Sequence, residues 1–442
     1  MRRTIIASIF GLFFKSRMKL LTKKFKTIWW RIKSVVARYY YGNPSKKLKI
    51  VGVTGTNGKT TTVTILYKIT TALGYKAGLI STVENIIVAE KIPATMTTPD
   101  SVSLTKLFAE MVSKGCEYVF MEVSSHALDQ GRVNGVNFVG GIFTNLTHDH
   151  LDYHKNFENY FLAKKRFFQM LPLSAFALSN ADDSYGEKIL EGIKARKFFY
   201  GFPARNAFST PASNASRNDA GWADAGGKNN SSNSSGREPD FSEKIETKLL
   251  GDFNAYNALA IFSASKLLGF REEKVKEILK NIEPPRGRFE YFTSDSGVLA
   301  IVDYAHTPDA LENVLRTANG IKKENTKIIS VFGCGGDRDP YKRPVMGKIG
   351  VINSDIAIFT SDNPRGENPD AIIEQMKINL SQEDLQKVKT ISNRREAIKE
   401  AVKLAQNGDI ILVAGKGHED YQIIKGVKSH FDDMEELKRA LA

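Results

Sequence analysis

Apolar runs rich in β-branched residues alternate with stretches of helical spacing from Leu48 onward. The pattern predicts strands at KIVGVTG (49–55), YVFMEVSS (118–125), GGIFTNLT (140–147) and SAFALSNAD (174–182). TTVTILYKITTAL (61–73), which follows the first of these runs, has the spacing of a helix. Alternation of this kind is typical of a mostly parallel sheet with crossover helices, so an α/β fold is predicted.

A second series of buried strands is predicted after Pro284. Its members are VLAIVDYA (298–305), KIISVFGCG (327–335), IAIFTSD (356–362) and DIILVAGKG (409–417). Each run ends in small or polar residues, and open α/β sheets bind ligands at those carboxyl ends. We therefore expect two α/β domains, at 48–283 and 284–442.

Two segments break the α/β pattern. Residues 203–243 are rich in Ser, Asn, Gly and Ala, which predicts a flexible insertion. Residues 1–47 form a basic, amphipathic N-terminal segment whose apolar run at 4–14 is shorter than the roughly 20 residues of a membrane-spanning helix. No small-residue cleavage site follows this run. A helix on an anionic membrane surface and a helix packed on its own domain both fit the composition.

Charge and composition narrow the class of protein. The net charge is +14, but residues 1–50 hold fourteen Lys and Arg and no acid, while the other 392 residues carry 49 charges of each sign. The basic excess is thus local, which argues against a nucleic-acid partner. With 42% hydrophobic and 25% charged residues the chain is predicted to be globular, and its two cysteines fit a reducing cytosol.

The segment TGTNGKTT (54–61) lies between a predicted strand and a predicted helix. Glycines let the backbone close around phosphate oxygens, and a helix N-terminus directs N–H groups at them. Lys59 would reach the terminal phosphates of ATP, and Thr60 would offer its hydroxyl to Mg²⁺. The glycine spacing differs from a strict Walker A motif, because Gly52 lies one residue early. The alternative is a Gly/Thr turn without a ligand.

Polar residues gather at other predicted strand ends. Glu122 ends a buried strand, where a carboxylate beside a phosphate loop could hold Mg²⁺. THDHLDYH (147–154) fits either a metal site or a hydrogen-bonded polar cluster. Charged turns such as GGDRDPYKRP (335–344) and DNPRGE (362–367) fit turn chemistry, but several in one half of the chain indicate a cleft for a zwitterionic substrate.

The ordered motifs resemble those of the UDP-N-acetylmuramoyl-tripeptide synthetases, Mur ligases of the type that adds meso-diaminopimelate. The resemblance covers about residues 49–442 and rests on TGTNGKTT, TTPD, EVSSHALDQGRV, TNLTHDHLDYH, GDFNAYNA, PPRGRFE, VDYAHTPDALE, VFGCGGDRDPYKRP, DNPRGE and GKGHEDYQ. It implies a P-loop-like central ATP-binding domain and a Rossmann-like C-terminal domain. About 48 residues precede the first strand, so the family's N-terminal UDP-binding domain is expected to be absent or reduced.

The resemblance also implies residue roles. ATP would be bound by Gly55, Thr56, Asn57, Gly58, Lys59, Thr60, Thr61, Asn254, Asn257, Arg288 and Asp303. Catalysis and Mg²⁺ binding would involve Lys59, Thr60, Glu122, His150 and Lys164, the last carbamylated by CO₂. The acceptor substrate would contact Ser81, Thr97, Thr98, Ser124, Gln130 and Arg132. The incoming amino acid would contact Arg338, Asp362, Asn363, Arg365, Gly415 and Glu419.

The implied activity is ATP-dependent addition of meso-diaminopimelate, or another diamino acid, to UDP-N-acetylmuramoyl-L-alanyl-D-glutamate in peptidoglycan synthesis. Activation would pass through an acyl phosphate. The enzyme is expected to be a cytoplasmic monomer, with residues 1–40 able to contact the inner face of the membrane. Two alternatives stay open: a Mur-superfamily ligase with other substrates, and a non-catalytic nucleotide-binding scaffold at the membrane surface.

Overall fold

The computed structural model describes residues 33–147, 149–202 and 239–442. Its strands are β1 (Lys49–Thr54), β2 (Ala77–Ile80), β3 (Glu84–Ile87), β4 (Glu90–Pro93), β5 (Tyr118–Glu122), β6 (Phe138–Phe143), β7 (Phe176–Asn180), β8 (Arg196–Tyr200), β9 (Glu290–Thr293), β10 (Leu299–Asp303), β11 (Ile328–Phe332), β12 (Ile356–Phe359), β13 (Val388–Thr390), β14 (Ile410–Ala414), β15 (Tyr421–Ile424) and β16 (Val427–His430).

The helices alternate with these strands, and a short 3₁₀ helix at Pro44–Lys47 precedes β1. They are α1 (Lys59–Ala72), α2 (Ser101–Ser113), α3 (Ser125–Asp129), α4 (Leu151–His154), α5 (Phe157–Gln169), α6 (Gly186–Ile189), α7 (Asp252–Leu267), α8 (Glu272–Asn281), α9 (Pro308–Ile321), α10 (Lys342–Ile352), α11 (Pro369–Lys377), α12 (Gln382–Gln386), α13 (Arg394–Leu404) and α14 (Asp433–Leu441). None of the helices in the described ranges has the length and apolar character needed to cross a bilayer.

The first sheet has eight strands in the order β4-β3-β2-β5-β1-β6-β7-β8. Its strands from β2 to β8 in that order run parallel, whereas β3 and β4 form an antiparallel extension. The register pairs Val53 of β1 with Glu122 of β5. Parallel strands end at the same edge, so Glu122 lies beside the turn that follows β1.

Helices cover both faces of this sheet. On one face, α2 and α5 contribute a core that includes Phe108, Met111 and Phe167. On the other, α1, α7 and α8 pack with residues such as Leu66 and Phe262. Each such side chain removed from water contributes about 1.5–3 kcal/mol, which the entropy of ordering the chain largely offsets.

The second sheet has six strands in the order β13-β12-β11-β14-β10-β9, parallel except for β9. Cores lie on both of its faces, built around Phe332 and Phe359 on one side and around Val331 and Val413 on the other. The antiparallel hairpin β15–β16 follows β14. The expectation of an α/β fold with two mostly parallel sheets is confirmed.

The segments outside the α/β pattern differ from the predictions in detail. Most of the predicted insertion lies outside the described residues, but its C-terminal end was placed too late. Phe241 forms a bridge with Tyr200, and the Asp240 carboxylate accepts a hydrogen bond from the Phe199 N–H at 2.8 Å, so these residues extend the sheet edge.

The structure describes residues 33–47 of the basic N-terminal segment, and residues 33–40 of these form a helix. The Ser34 hydroxyl donates to the Asn134 carbonyl at 2.8 Å, and Ala37 is buried, so one side of this helix packs on the first domain. Its other side exposes Val36, Tyr39 and their neighbours to solvent. Residues 1–32 lie outside the described ranges.

Candidate active site

The turn after β1 wraps into the N-terminus of α1 and forms a loop with inward-facing backbone. Gly58 caps the helix with φ +85, and Gly55 has φ +153, both in the region that side chains disfavour. A Cβ on Gly55 would lie 1.9 Å from the Thr144 hydroxyl oxygen, so the neighbouring strand end approaches too closely for any other residue. Residues 55–61 all line the cleft described below, and phosphate binding by this loop stays a prediction.

Glu122 lies beside this loop and is 1% exposed. Its carboxylate accepts a hydrogen bond from the Thr60 hydroxyl at 2.9 Å and from the Thr82 N–H at 2.8 Å. The Thr82 hydroxyl adds a third contact at 3.2 Å. These donors fix the carboxylate and the Thr60 hydroxyl within one small polar site at the edge of the sheet.

Two lysines converge on the Gly55 carbonyl oxygen. The Lys59 ammonium donates to it at 2.9 Å and to the Thr56 carbonyl at 2.6 Å, and the Lys164 ammonium donates to the same Gly55 oxygen at 2.6 Å. Lys164 is 1% exposed, and burial, followed by the nearby Lys59 charge, holds its pKa well below the usual value. Burial also lowers the pKa of Lys59. A buried lysine beside a second cation favours its neutral form, which is the nucleophilic one.

His150 lies across the cleft with a left-handed backbone, φ 54, and its Nε2 atom is 3.4 Å from an Asp149 carboxylate oxygen. Burial lowers the pKa of His150 to about 4, so the imidazole is neutral at pH 7 and able to act as a ligand. Within the described ranges, no group of three or more His, Cys, Asp or Glu side chains could by itself hold a metal. The Thr60 hydroxyl and the Glu122 carboxylate fit Mg²⁺ bound chiefly by waters and phosphate oxygens, as this ion prefers.

The second domain also contributes polar groups to this cleft, among them Arg288 and Asp303. The Arg288 guanidinium donates to the Thr60 hydroxyl at 3.0 Å and lies 4.6 Å from the centroid of the Tyr304 ring. Asp303 is held by the N–H groups of Phe289 and Ala305, and burial raises its pKa to about 6.

Asp309 joins the two domains directly. Its carboxylate accepts hydrogen bonds from the Asn57 amide at 2.7 Å and from the Thr147 hydroxyl at 2.9 Å. It lies in the first turn of α9, where the Thr307 side chain caps the helix. The sequence analysis did not single out Asp309, although the motif VDYAHTPD contains it.

The cleft enclosed by these groups has a volume of about 660 Å³. Most of the predicted nucleotide and catalytic residues line it: Gly55, Thr56, Asn57, Gly58, Lys59, Thr60, Thr61, Glu122, His150, Lys164, Asn257, Arg288 and Asp303. The wall also contains residues that were not assigned a role, among them Thr82, Asn145, Thr147, Asp309, Asn313 and Arg316. Asn254 lies behind the wall, donating to the Leu250 carbonyl at 2.9 Å and accepting from the Asn257 amide at 3.1 Å.

The residues predicted for the acceptor substrate form one hydrogen-bonded group next to Glu122. The Thr98 hydroxyl donates to the Glu122 carbonyl at 2.9 Å and lies 3.2 Å from the Ser124 hydroxyl. Arg132 donates to the Thr98 carbonyl at 2.7 Å and to the Gln130 side chain at 2.7 Å.

The two remaining predicted acceptor residues, Thr97 and Ser81, flank this group. Thr97 lines the cleft, as Ser124 does, and it accepts a hydrogen bond from the Thr82 hydroxyl at 3.0 Å. The Ser81 hydroxyl instead turns back to the Glu84 carbonyl at 2.7 Å, in the turn between β2 and β3.

The residues predicted for the amino acid lie together at the carboxyl edge of the second sheet. The Asn363 amide donates to the Glu419 carboxylate at 2.7 Å. A Cβ on Gly415 would lie 2.6 Å from an Asp362 carboxylate oxygen, so only glycine lets the loop after β14 pack on that acid. Arg365 has φ 51, and its Nη1 atom donates to the Gly336 carbonyl at 2.8 Å and to the Asn363 carbonyl at 3.3 Å.

Arg338 lies at the exposed rim of this group, where its guanidinium contacts the Asp337 carbonyl at 3.4 Å. The buried Gln422 and the N–H of Ile423, both on β15, bond to the Asp362 carbonyl and to the Asn363 side chain at 2.7 and 2.9 Å. The hairpin therefore holds Asp362 and Asn363 in place, a contact that was not predicted from the sequence.

Comparison with known proteins shows to which family this architecture belongs. Residues 53–265 match the Mur ligase middle domain, and residues 287–417 match the Mur ligase glutamate ligase domain. These matches define the class as a Mur ligase. The folylpolyglutamate synthase of Mycobacterium tuberculosis bound to ADP and AMPPCP shares the fold, with a TM-score of 0.65 at 16% identity over 87% of this chain and 92% of that one.

Relatives with higher sequence identity show which group of Mur ligases the chain is similar to. The UDP-N-acetylmuramoyl-L-alanyl-D-glutamate–2,6-diaminopimelate ligase of Cytophaga hutchinsonii is 51% identical over 92% of this chain and 80% of its own length. The ligase of the same name from Bacteroides thetaiotaomicron is 48% identical over 91% of this chain and 80% of its own. A solved structure with that name superposes with a TM-score of 0.61 at 30% identity, over 93% of this chain and 82% of that one. The chain therefore belongs to the Mur ligases, in the group of these diaminopimelate ligases, and is an ATP-dependent enzyme that forms a C–N bond.

Proposed function

We propose that the enzyme adds meso-diaminopimelate to the D-glutamate carboxylate of UDP-N-acetylmuramoyl-L-alanyl-D-glutamate. The observation that carries the proposal is the arrangement around Glu122. The phosphate loop, the Thr98–Ser124–Arg132 group and the Arg288 side chain of the second domain all meet there. Nucleotide and acceptor would thus meet at Glu122, while the residues assigned to the amino acid lie at the carboxyl edge of the second sheet and outside the lining of this cleft.

A carboxylate is a poor electrophile, so the acceptor must first be activated. Its oxygen attacks the γ-phosphorus of ATP, the bond to the β-phosphate oxygen breaks, and ADP leaves. The amino group of the second substrate then attacks the acyl carbon, phosphate departs and a proton is lost from nitrogen. The protein mainly positions the reactants and stabilises charge in a site from which water is excluded.

Individual residues are proposed for these tasks. Lys59 would exchange its two carbonyl contacts for the phosphates, and Thr60 and Glu122 would hold Mg²⁺, whose charge would offset that of the phosphates. Lys164, in its neutral form, would attack the carbon of CO₂ and release a proton, and the resulting carbamate would supply an anion at this position. His150 is proposed as a further metal ligand, supported by its neutral imidazole.

The test of the proposed function is ATP-dependent phosphate release. It is measured with UDP-N-acetylmuramoyl-L-alanyl-D-glutamate and a panel of amino acids that includes meso-diaminopimelate, L-lysine and L-glutamate. We expect rapid release only with meso-diaminopimelate and one phosphate per amide formed. Turnover with a different amino acid or acceptor, and none with this pair, would overturn the proposal.

We also propose domain bounds of 48–283 and 284–442, supported by the separate sheets at 49–200 and 290–414. The chain is proposed to act as a cytoplasmic monomer, because one chain supplies all the groups of the cleft described above. Residues 1–40 are proposed to contact anionic membrane. Fourteen basic residues in 1–50 support this, together with Val36 at 61% and Tyr39 at 86% exposure on the outer side of the N-terminal helix.

A further inference from the structure

A buried cation lies behind the group of residues assigned to the amino acid. Lys416 stands in the loop after β14, and its side chain is 0% exposed. A charge taken out of water costs several kcal/mol unless hydrogen bonds and an opposite charge replace the lost hydration. A fully buried lysine therefore needs a specific arrangement of partners, and these partners indicate what it does.

The partners of Lys416 are themselves pocket residues. Its ammonium donates to the Asn363 side-chain oxygen at 3.3 Å and lies 3.5 Å from a Glu419 carboxylate oxygen. The same Glu419 oxygen accepts the Asn363 amide at 2.7 Å. The three side chains close a triangle in which the cation orients the amide and the amide orients the carboxylate.

We propose that Lys416 is a positioning residue for amino-acid binding, which fixes Asn363 and keeps Glu419 ionised so that the carboxylate can receive a substrate ammonium group. The inference rests on the proposed amino-acid pocket. It adds a residue to which neither the resemblance nor the pattern of the sequence gave a role.

The surroundings of Glu419 explain why a cation is needed. Burial raises the pKa of the Glu419 carboxyl, and the Asp362 charge raises it further, whereas the Lys416 charge lowers it. The titratable and charged groups that face Glu419 are Asp362, Lys416, Tyr304, Tyr421 and Arg394. Two carboxylates in one pocket would favour protonation of one of them, and a protonated carboxyl binds an ammonium group poorly.

A purely structural ion pair in the same region looks different. Arg394 forms a fully buried, two-pronged pair with Asp433 at 2.7 Å for each contact, and it also donates to the Ala414 carbonyl at 3.0 Å. That pair closes on itself and ties α13 and α14 to β14. The contacts of Lys416, at 3.3 and 3.5 Å, are longer and end on Asn363 and Glu419, two residues assigned to the amino acid, which is the arrangement expected of a residue that supports a binding site.

The experiment compares Lys416→Met, which keeps the length of the side chain but removes the charge, with Glu419→Gln and the double variant. Lys322→Met is the matched control, because Lys322 pairs with Asp355 at 2.8 Å in the same domain but away from the pocket. KM and kcat/KM are measured for meso-diaminopimelate, ATP and the UDP-linked acceptor across a range of pH, alongside the thermal melt.

For Lys416→Met we expect KM for meso-diaminopimelate to rise about tenfold or more, with KM for ATP changed by less than about twofold. Loss of the cation raises the pKa of Glu419, so the acid limb of kcat/KM for the amino acid should move to higher pH by about half a unit or more. Lys322→Met should leave both quantities at wild-type values.

The double variant gives an answer even if Lys416→Met folds poorly, because removing both charges leaves neither member of the Lys416–Glu419 pair without its partner. It should bind the amino acid no worse than Glu419→Gln alone. Additive losses in the double variant, or a lowered melt in Lys416→Met with an unchanged pH profile, would show that Lys416 is only structural. If Glu419→Gln changed KM for ATP and not for the amino acid, the pocket assignment itself would be wrong, and both proposals would fall.

Discussion

Selectivity for meso-diaminopimelate over lysine is predicted to depend on Arg365. The two amino acids differ by one carboxylate at the far end of the side chain, so a selective pocket must present a cation that lysine leaves unpaired. The Arg365 guanidinium is held in place by the carbonyl groups of Gly336 and Asn363. Its backbone is bonded to the β15–β16 hairpin through the Ile423 carbonyl at 3.1 Å and the Lys425 N–H at 2.7 Å. A planar fork fixed in this way is prepared for a carboxylate.

The structure also determines which substitution tests this cleanly. Arg365 has φ 51, where a residue with a Cβ is strained by roughly 1 kcal/mol. Arg365→Ala keeps the Cβ and therefore keeps this strain, so it removes the guanidinium without changing the backbone preference. Lys425→Ala is the matched control, because Lys425 has φ 50, is exposed and lies in the turn of the adjoining hairpin.

The magnitude follows from two charge-assisted hydrogen bonds, each worth about 1.5–3 kcal/mol. Arg365 is only partly buried, so the lower bound of about 3 kcal/mol is appropriate, which corresponds to roughly a hundredfold change in kcat/KM. We expect Arg365→Ala to lower the ratio of kcat/KM for meso-diaminopimelate to that for L-lysine by about this factor. Wild-type preference for lysine, or a ratio in Arg365→Ala within about threefold of wild type, would refute the reasoning.

Three further predictions concern catalysis and the membrane. Lys59→Ala should abolish acyl-phosphate formation with little change in the thermal melt, and more than about a tenth of wild-type turnover would contradict a phosphate-binding role. Lys164→Ala should be inactive and partly rescued by a short carboxylic acid, whereas full activity without bicarbonate would exclude the carbamate. Deleting residues 1–32, which leaves the packed helix at 33–40, should abolish salt-sensitive sedimentation with anionic liposomes, each basic residue contributing about 1 kcal/mol. Equal binding to neutral liposomes would count against an electrostatic contact.

The strands that were predicted from the sequence are long runs buried along most of their length, whereas β2, four residues long and also buried, was missed. Strands such as β1, β5 and β14 read as unbroken apolar runs, because helices cover both sides of a parallel sheet. The short sheet extensions β3, β4 and β9 and the hairpin β15–β16 gave no such signal. EKIP of β4 and VKSH of β16 are mostly exposed and carry no pattern that separates them from a turn.

The predictions for the site divide in a similar way. That Glu122 would lie next to the phosphate loop could be predicted, since adjacent parallel strands end at one edge and the polar residue after each apolar run must face it. Contacts between the two domains could not be predicted. The bonds from Asn57 and Thr147 to Asp309 join residues up to 252 positions apart, and their existence depends on how two separately folded units meet. No local pattern encodes that placement.

The hydrogen-bond partners of the charged side chains around the cleft explain why a nucleotide can bind there without first breaking an ion pair. Lys59 and Lys164 donate to backbone carbonyls, whereas Glu122 and Asp309 accept from hydroxyl and amide groups. Had the lysines been paired with these carboxylates, each pair would have to break before phosphate could bind, and the freed carboxylate would repel it. Because a carbonyl oxygen carries only a partial charge, exchanging it for a phosphate oxygen gains electrostatic energy for Lys59. Lys164 differs, because its lowered pKa favours the neutral amine, which is the form that the proposed reaction with CO₂ requires.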